Sequence, residues 1–203
     1  MKRATFFLAL VGLSCGPLAA QVHHRRTGVE VGLGFGAGNL SVGCPECDNG
    51  RSTGLARVSI ATWNFSPRLG VGTQVVGVEG GRNGYTERES STILFVQAVP
   101  TAKLPLILSA GVGSGKYVAR FVRSAASTER YAATGRVLQF GLGMEVPFAP
   151  EITLVPQLTW RSHQAGQLAS DSGPLVDGLK AEVIQFDITL RWRFFPAEQR
   201  AVP

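Results

Sequence analysis

A chain of 203 residues, 44% hydrophobic and only 17% charged, is long enough for one domain and too apolar for a disordered segment. Its 20 Lys and Arg against 14 Asp and Glu give a formal charge of +6, but the basic residues are scattered over turns, connections and one strand parity, which argues against nucleic-acid binding. Beyond the first 20 residues no run approaches the ~18 apolar residues of a membrane-spanning helix, so any membrane crossing has to be made by strands.

At the N-terminus, Lys2 and Arg3 precede the apolar run Phe6 to Leu13, and small residues close the segment at Ala19 and Ala20. This is the pattern of a secretory signal peptide over residues 1–20, cleaved before Gln21. Removing Lys2 and Arg3 leaves 18 basic residues against 14 acidic ones, a net charge of +4. Lipid attachment at Cys15 is the alternative, but Gly12 stands where a lipobox carries a branched aliphatic residue. Residues 21–27, with His23 and His24, read as a short periplasmic tail.

Eight strands are predicted next, over 28–42, 53–64, 69–80, 91–102, 106–121, 133–148, 151–163 and 182–195. The connections after the second, fourth and sixth are tight and each holds a proline: Phe65-Ser66-Pro67-Arg68, Lys103-Leu104-Pro105 and Ala149-Pro150. Proline presets a turn dihedral and cannot extend a ladder. The connections after the first, third, fifth and seventh are long and polar, running from Cys44 to Arg51, Arg82 to Glu89, Arg123 to Ala132 and Gln164 to Ala181. An even number of strands joined by alternately short and long connections predicts an all-β, eight-stranded antiparallel up-and-down transmembrane β-barrel over 28–195. Its tight turns and both termini would be periplasmic, with a C-terminal tail over 196–203.

Side-chain alternation supports the same reading. Leu138, Phe140, Leu142, Met144, Val146 and Phe148 alternate with Gln139, Gly141, Gly143, Glu145 and Pro147. Near the end, Ile184, Phe186, Ile188, Leu190, Trp192 and Phe194 alternate with Val183, Gln185, Asp187, Thr189, Arg191 and Arg193. Successive strand side chains face opposite ways, so each segment has one apolar face for lipid and one polar or small face for a lumen. In 53–64 the alternation is weak, and Ala56, Val58 and Ile60 are assigned to the lipid face. Pro156, lying mid-strand in a closed sheet, predicts a local bulge.

The glycines of Gly32 to Gly38 and Gly111 to Gly115 resemble phosphate-binding loops only in part. Ala37, Ala110 and Tyr117 stand where the dinucleotide and P-loop patterns need other residues. Their strict i, i+2 spacing lines one face of a narrow barrel instead. The mature cysteines, Cys44 and Cys47, are close together in the first long connection of an exported chain, so a small disulfide is expected there; a redox or zinc role would need a different setting or further ligands. No cofactor or metal is expected.

The inward parity carries Glu30, Gln74, Gln139, Glu145, Gln157, Arg161, Asp187, Arg191 and Arg193. Buried charges are costly unless paired, which predicts a side-chain network filling the lumen, the alternative being a narrow polar path for ions or small solutes. Trp63, Trp160, Trp192 and Phe194 lie near predicted strand ends, where interface-anchoring aromatics belong. Ser162 and His163 are adjacent, so a regular strand aims them at opposite faces as a rim hydroxyl and a rim imidazole, and no His-activated nucleophile is assembled.

Taken together, these features resemble the small eight-stranded outer-membrane barrels of Gram-negative envelopes, the OmpA-transmembrane, OmpX and opacity-protein type. The resemblance covers 28–195 as topology and rests most on the last strand. There Ile188, Leu190, Trp192 and Phe194 are similar to the signal read by the barrel-assembly machinery, although this chain continues from Pro196 to Pro203. The resemblance implies outer-membrane lipid as a partner and no defined activity. Some barrels of this size modify lipid A, and Arg161-Ser162-His163 only faintly resembles their signature. The expected function is therefore non-enzymatic: envelope structure, surface contact or adhesion through the long loops, with 164–181 as the main recognition surface and external Arg side chains meeting anionic glycolipid. A narrow channel and a secreted lipocalin-like ligand carrier are the alternatives.

Overall fold

The computed structural model describes residues 27–44, 50–82, 85–101, 104–124, 127–170 and 173–194. The expected signal peptide, almost all of the N-terminal tail, the C-terminal tail and Cys47 lie outside the described residues. Nine antiparallel strands are present: β1 (Gly28–Gly43), β2 (Gly50–Asn64), β3 (Leu69–Arg82), β4 (Tyr85–Ala98), β5 (Leu106–Ser124), β6 (Ser127–Met144), β7 (Val146–Ala149), β8 (Ile152–Ser170) and β9 (Gly173–Phe194). Each pairs with its sequence neighbour or next neighbour, β1 pairs β9, and a β6–β8 pairing closes the ring.

Nine strands still make an eight-staved barrel. β6 and β7 are one stave interrupted at Glu145, because Gly143 pairs Gln157 and Val146 pairs Leu154 in the same register on either side of the gap. The gap lies opposite Pro156, whose missing N–H removes a ladder bond. The bulge expected at Pro156 is therefore not in its own strand: β8 runs in unbroken register with β9 from Ile152 to Gln164, and the neighbouring stave takes up the irregularity. Glu145 N–H instead donates to Pro105 O at 2.7 Å.

Pairing partners followed once around the barrel run Leu142, Leu158, Phe186, Ala37, Leu55, Glu79, Arg88, Val118 and Ala132, which returns to β6 ten residues along from the start. That stagger requires tilted strands. The outward apolar positions of one stave, from Leu138 to Phe148, then span roughly 25 Å along the axis at a rise of ~3.3 Å per residue and a tilt of ~40°. This is the height of an outer-membrane hydrocarbon layer. On that belt Leu33, Phe35, Val75, Leu94, Val112 and Phe148 are all exposed.

Two further expectations fail. Ala56, Val58 and Ile60 are buried in the lumen, and Leu55, Arg57, Ser59 and Trp63 face outward. Val58 and Ile60 pack inside with Val76, Ile93, Phe95 and Val137 from β3, β4 and β6, so β2 needs apolar residues inside as well as outside. Arg57 then sits on the lipid face beside Phe35 and Gly77, with a stem long enough to carry its charge up to the polar rim. Secondly, most of the expected long loops are strand. Arg82 to Glu89, Arg123 to Ala132 and Gln164 to Ala181 lie largely in β4, β5, β6, β8 and β9. Above the lipid belt the outward face meets water, so the apolar alternation stops while the hydrogen-bond ladder continues.

Candidate functional site

The lumen is filled by side chains in tiers. At the tight-turn end, Arg193 Nε donates to Glu30 Oε1 at 2.7 Å, its Nη2 lies 3.8 Å from Glu145, and Arg191 Nη1 donates to Gln97 Oε1 at 3.1 Å. Gln97 in turn donates to Asn64 at 2.7 Å. In the middle, Gln74 donates to Gln139 at 2.6 Å, and Asp187 accepts from Gln185 at 2.8 Å and Thr189 at 3.0 Å. Higher up, Arg161 Nη2 donates to Glu89 Oε2 at 3.0 Å and its Nη1 to Gln185 at 2.9 Å. Ser91 donates to the other oxygen of Glu89, and His163 Nδ1 lies 3.8 Å from it. Every charge here is buried with a partner, as the cost of desolvation demands.

Apolar clusters occupy the remaining volume. Val58, Ile60, Val76, Ile93, Phe95 and Val137 fill the wall facing the polar groups. Above them Leu40, Val78, Tyr117, Leu179 and Val183 pack with four alanines across the upper lumen, and Val99, Ile107 and Val155 close the tight-turn end. This is a packed core of mixed character, closed at three levels.

All the inward residues read from the sequence lie inside the barrel: Glu30, Gln74, Gln139, Glu145, Gln157, Arg161, Asp187, Arg191 and Arg193 are buried. Glu87, Glu89, Gln97 and Gln185 join them; the two glutamates fall in the expected connection from Arg82 to Glu89, although Glu87, Glu89, Ser91 and Ile93 keep one parity that signals a strand. His163 is not a rim imidazole. It faces the lumen and is fully buried, while Ser162 faces outward. Trp63, Trp192 and Phe194 are exposed near the tight-turn end. Trp160, by contrast, is well inside β8, stacked on Phe140 at 5.9 Å, because β8 extends to Ser170. Cys44 directly follows β1, packs against the upper cluster and is not a free thiol. Among the described residues no three His, Cys, Asp or Glu side chains converge to hold a metal ion.

Outside, the belt ends in a one-sided row of cations. Above Leu94, Val112 and Leu138, beyond a few small polar positions, the outward face of β4, β5 and β6 carries Arg88, Lys116, Arg120, Arg130 and Arg136. Lys116 pairs with Thr134 and Ser90, and Arg120 lies across from Arg130. One acid, Glu79, stands opposite Arg88. Like charges on neighbouring strands repel, so such an array favours an external anion.

No family model matches the sequence, and no curated protein sequence matches it. Solved structures do match the fold. Ail, the attachment invasion locus protein of Yersinia pestis, aligns over 82% of this chain and 100% of its own at 13% identity, with a TM-score of 0.57. Neisserial surface protein A aligns over 83% and 98% at 12% identity, with a TM-score of 0.56. A major outer membrane protein of Thermus thermophilus aligns over 82% and 99% at 15% identity, with a TM-score of 0.51. In fold, this chain is similar to the small outer-membrane β-barrels.

Proposed function

We propose that the mature chain is an integral outer-membrane barrel without catalytic activity, its termini periplasmic, whose extracellular hairpins make surface contact or adhesion. The observation that carries this reading is the closed lumen beneath an apolar belt. A lipocalin-like carrier would reverse the faces and leave a cavity, and a channel would need a continuous wet path. Ser162 and His163 point apart, which supports the non-enzymatic reading. The hairpins β5–β6 and β8–β9 extend well above the belt as paired strands, a scaffold on which a recognition surface can be presented. Ail has also been solved with the heparin analogue sucrose octasulfate. The first test is electrophoresis of the outer-membrane fraction with and without boiling, where a heat-dependent shift is expected. In planar bilayers the purified barrel is expected to stay silent, and stepwise conductance would overturn the filled-lumen reading.

Outer-membrane lipid is the proposed partner of the outer face. Arg88, Lys116 and Arg136 would take the phosphates of an anionic glycolipid, and an apolar furrow of 790 Å³ across Ala61, Thr73 and Ala110 would accept acyl chain below them. Changing all three cations to Gln is expected to lower co-purifying glycolipid roughly tenfold with the heat shift intact, as measured by phosphate and fatty-acid analysis of the purified protein. Ile188, Leu190, Trp192 and Phe194, all outward, are proposed as the contact for the assembly machinery. A Cys44–Cys47 disulfide is proposed to stiffen the first extracellular connection.

A further inference from the structure

All three tyrosines of the chain, Tyr85, Tyr117 and Tyr131, line one hollow at the extracellular mouth. The pairing register explains how. On the inner face of β4, β5 and β6, Tyr85, Phe121 and Glu129 form one row, Glu87, Ala119 and Tyr131 the next, and Glu89 and Tyr117 lie below with Ala133. Ala119 is at the centre, so a small residue floors a ring of larger ones and leaves a cavity of 410 Å³. The Tyr85 and Phe121 rings are 6.4 Å apart and tilted by 34°.

The polar groups of the hollow are acceptors. Tyr117 donates its hydroxyl to Glu87 Oε1 at 2.7 Å, and Tyr131 donates to Glu129 Oε2 at 2.5 Å. Burial and the neighbouring Glu87 push the Tyr117 pKa up, so its hydroxyl keeps its proton. Glu87 is 4% exposed, and its second oxygen, Oε2, is buried without a hydrogen-bond partner. An unpartnered carboxylate oxygen among aromatic faces attracts a cation. A primary ammonium has three N–H donors whose hydration it loses on entering an aromatic hollow, whereas a methylated ammonium has none to satisfy and gains from the aromatic walls.

We propose that this mouth is a binding site for a choline-type headgroup, its quaternary ammonium over Ala119 between the tyrosines and Glu87. The site rests on the outer-membrane barrel reading only for its access from outside.

The test uses purified, folded protein in a maltoside detergent, which carries no choline, titrated calorimetrically with phosphocholine, choline and phosphoethanolamine. Saturable phosphocholine binding is expected, with phosphoethanolamine about tenfold weaker and Glu87→Gln weakening every ligand by about tenfold. Arg120→Gln, on the outer face of β5, is expected to leave phosphocholine and choline binding unchanged, and Ala119→Leu to abolish binding by filling the floor. Competition by phosphatidylcholine vesicles would assign a lipid source; binding of free phosphocholine without such competition would assign a soluble or glycan-borne one. Absence of saturable binding, equal binding of the two phosphorylated headgroups, or undiminished binding by Ala119→Leu would overturn the proposal. Each variant is run beside the heat-shift assay. A retained shift with lost binding concerns the site, whereas a wild-type protein showing no shift would count against the barrel reading itself.

Discussion

Replacing Arg161 by methionine is expected to destabilise the barrel by about 3–5 kcal/mol, the cost of stranding a buried charge. Arg161 is fully buried, with one nitrogen on Glu89 and another on Gln185. Without the guanidinium, Glu89 keeps Ser91 and the more distant His163 but loses its countercharge. Removing both charges, in Arg161→Met with Glu89→Gln, is expected to recover most of the loss, since a neutral pair of similar volume costs little in a packed interior. The measurement is the urea midpoint of the folded, unshifted gel band for the wild type, both single variants and the double variant. A loss under about 1 kcal/mol in Arg161→Met would mean that water screens the pair, and the filled-lumen reading would fail with it.

The second large effect is expected where β1 meets β9 and the barrel closes. A Cβ on Gly36 would run into Phe186 O and lie 2.5 Å from Asp187 Cα, both main-chain atoms. No rotamer change relieves a clash with backbone, so Gly36→Val has to push the two strands apart. Overpacking costs about 1–3 kcal/mol when side chains can yield, and here they cannot, so the expected result is loss of nearly all folded protein from the outer membrane. Ala37→Val is the control. Ala37 is the next residue, faces outward and is exposed, and a β-branched residue there adds apolar surface to the belt. Equal yields of the two variants would show that the seam is wider than the geometry implies.

These contrasts between neighbours show why some of this fold is legible in the sequence and some is not. In 138–148 and 184–194 one parity must satisfy hydrocarbon and the other a polar lumen, so the requirements on the two faces are opposite and the pattern is clear. In 53–64 Val58 and Ile60 join an apolar cluster inside the lumen, while Arg57 and Ser59 face outward. The parity there gives the wrong face, because what a lumen residue meets is set by strands distant in sequence. Glu87, Glu89 and His163 were hidden for a related reason. They lie at or above the top of the belt, where the outward partners are polar too and no alternation marks the strand. The cavity at Ala119 is equally invisible, since it depends on three strands coming into register.

The sequence by itself determined the architecture: an all-β chain whose alternating strands, proline-bearing tight turns and one apolar parity specify a barrel with an outward lipid face. Only the tertiary structure decided that three of the long connections are largely paired strand, that one stave breaks opposite Pro156, and which acid meets which base inside. Lipid imposes a uniform demand on every outward residue and so writes a periodic signal into the chain. The lumen is satisfied pair by pair across the barrel, through contacts such as Arg161 with Glu89 and Arg193 with Glu30 that only the closed ring brings together.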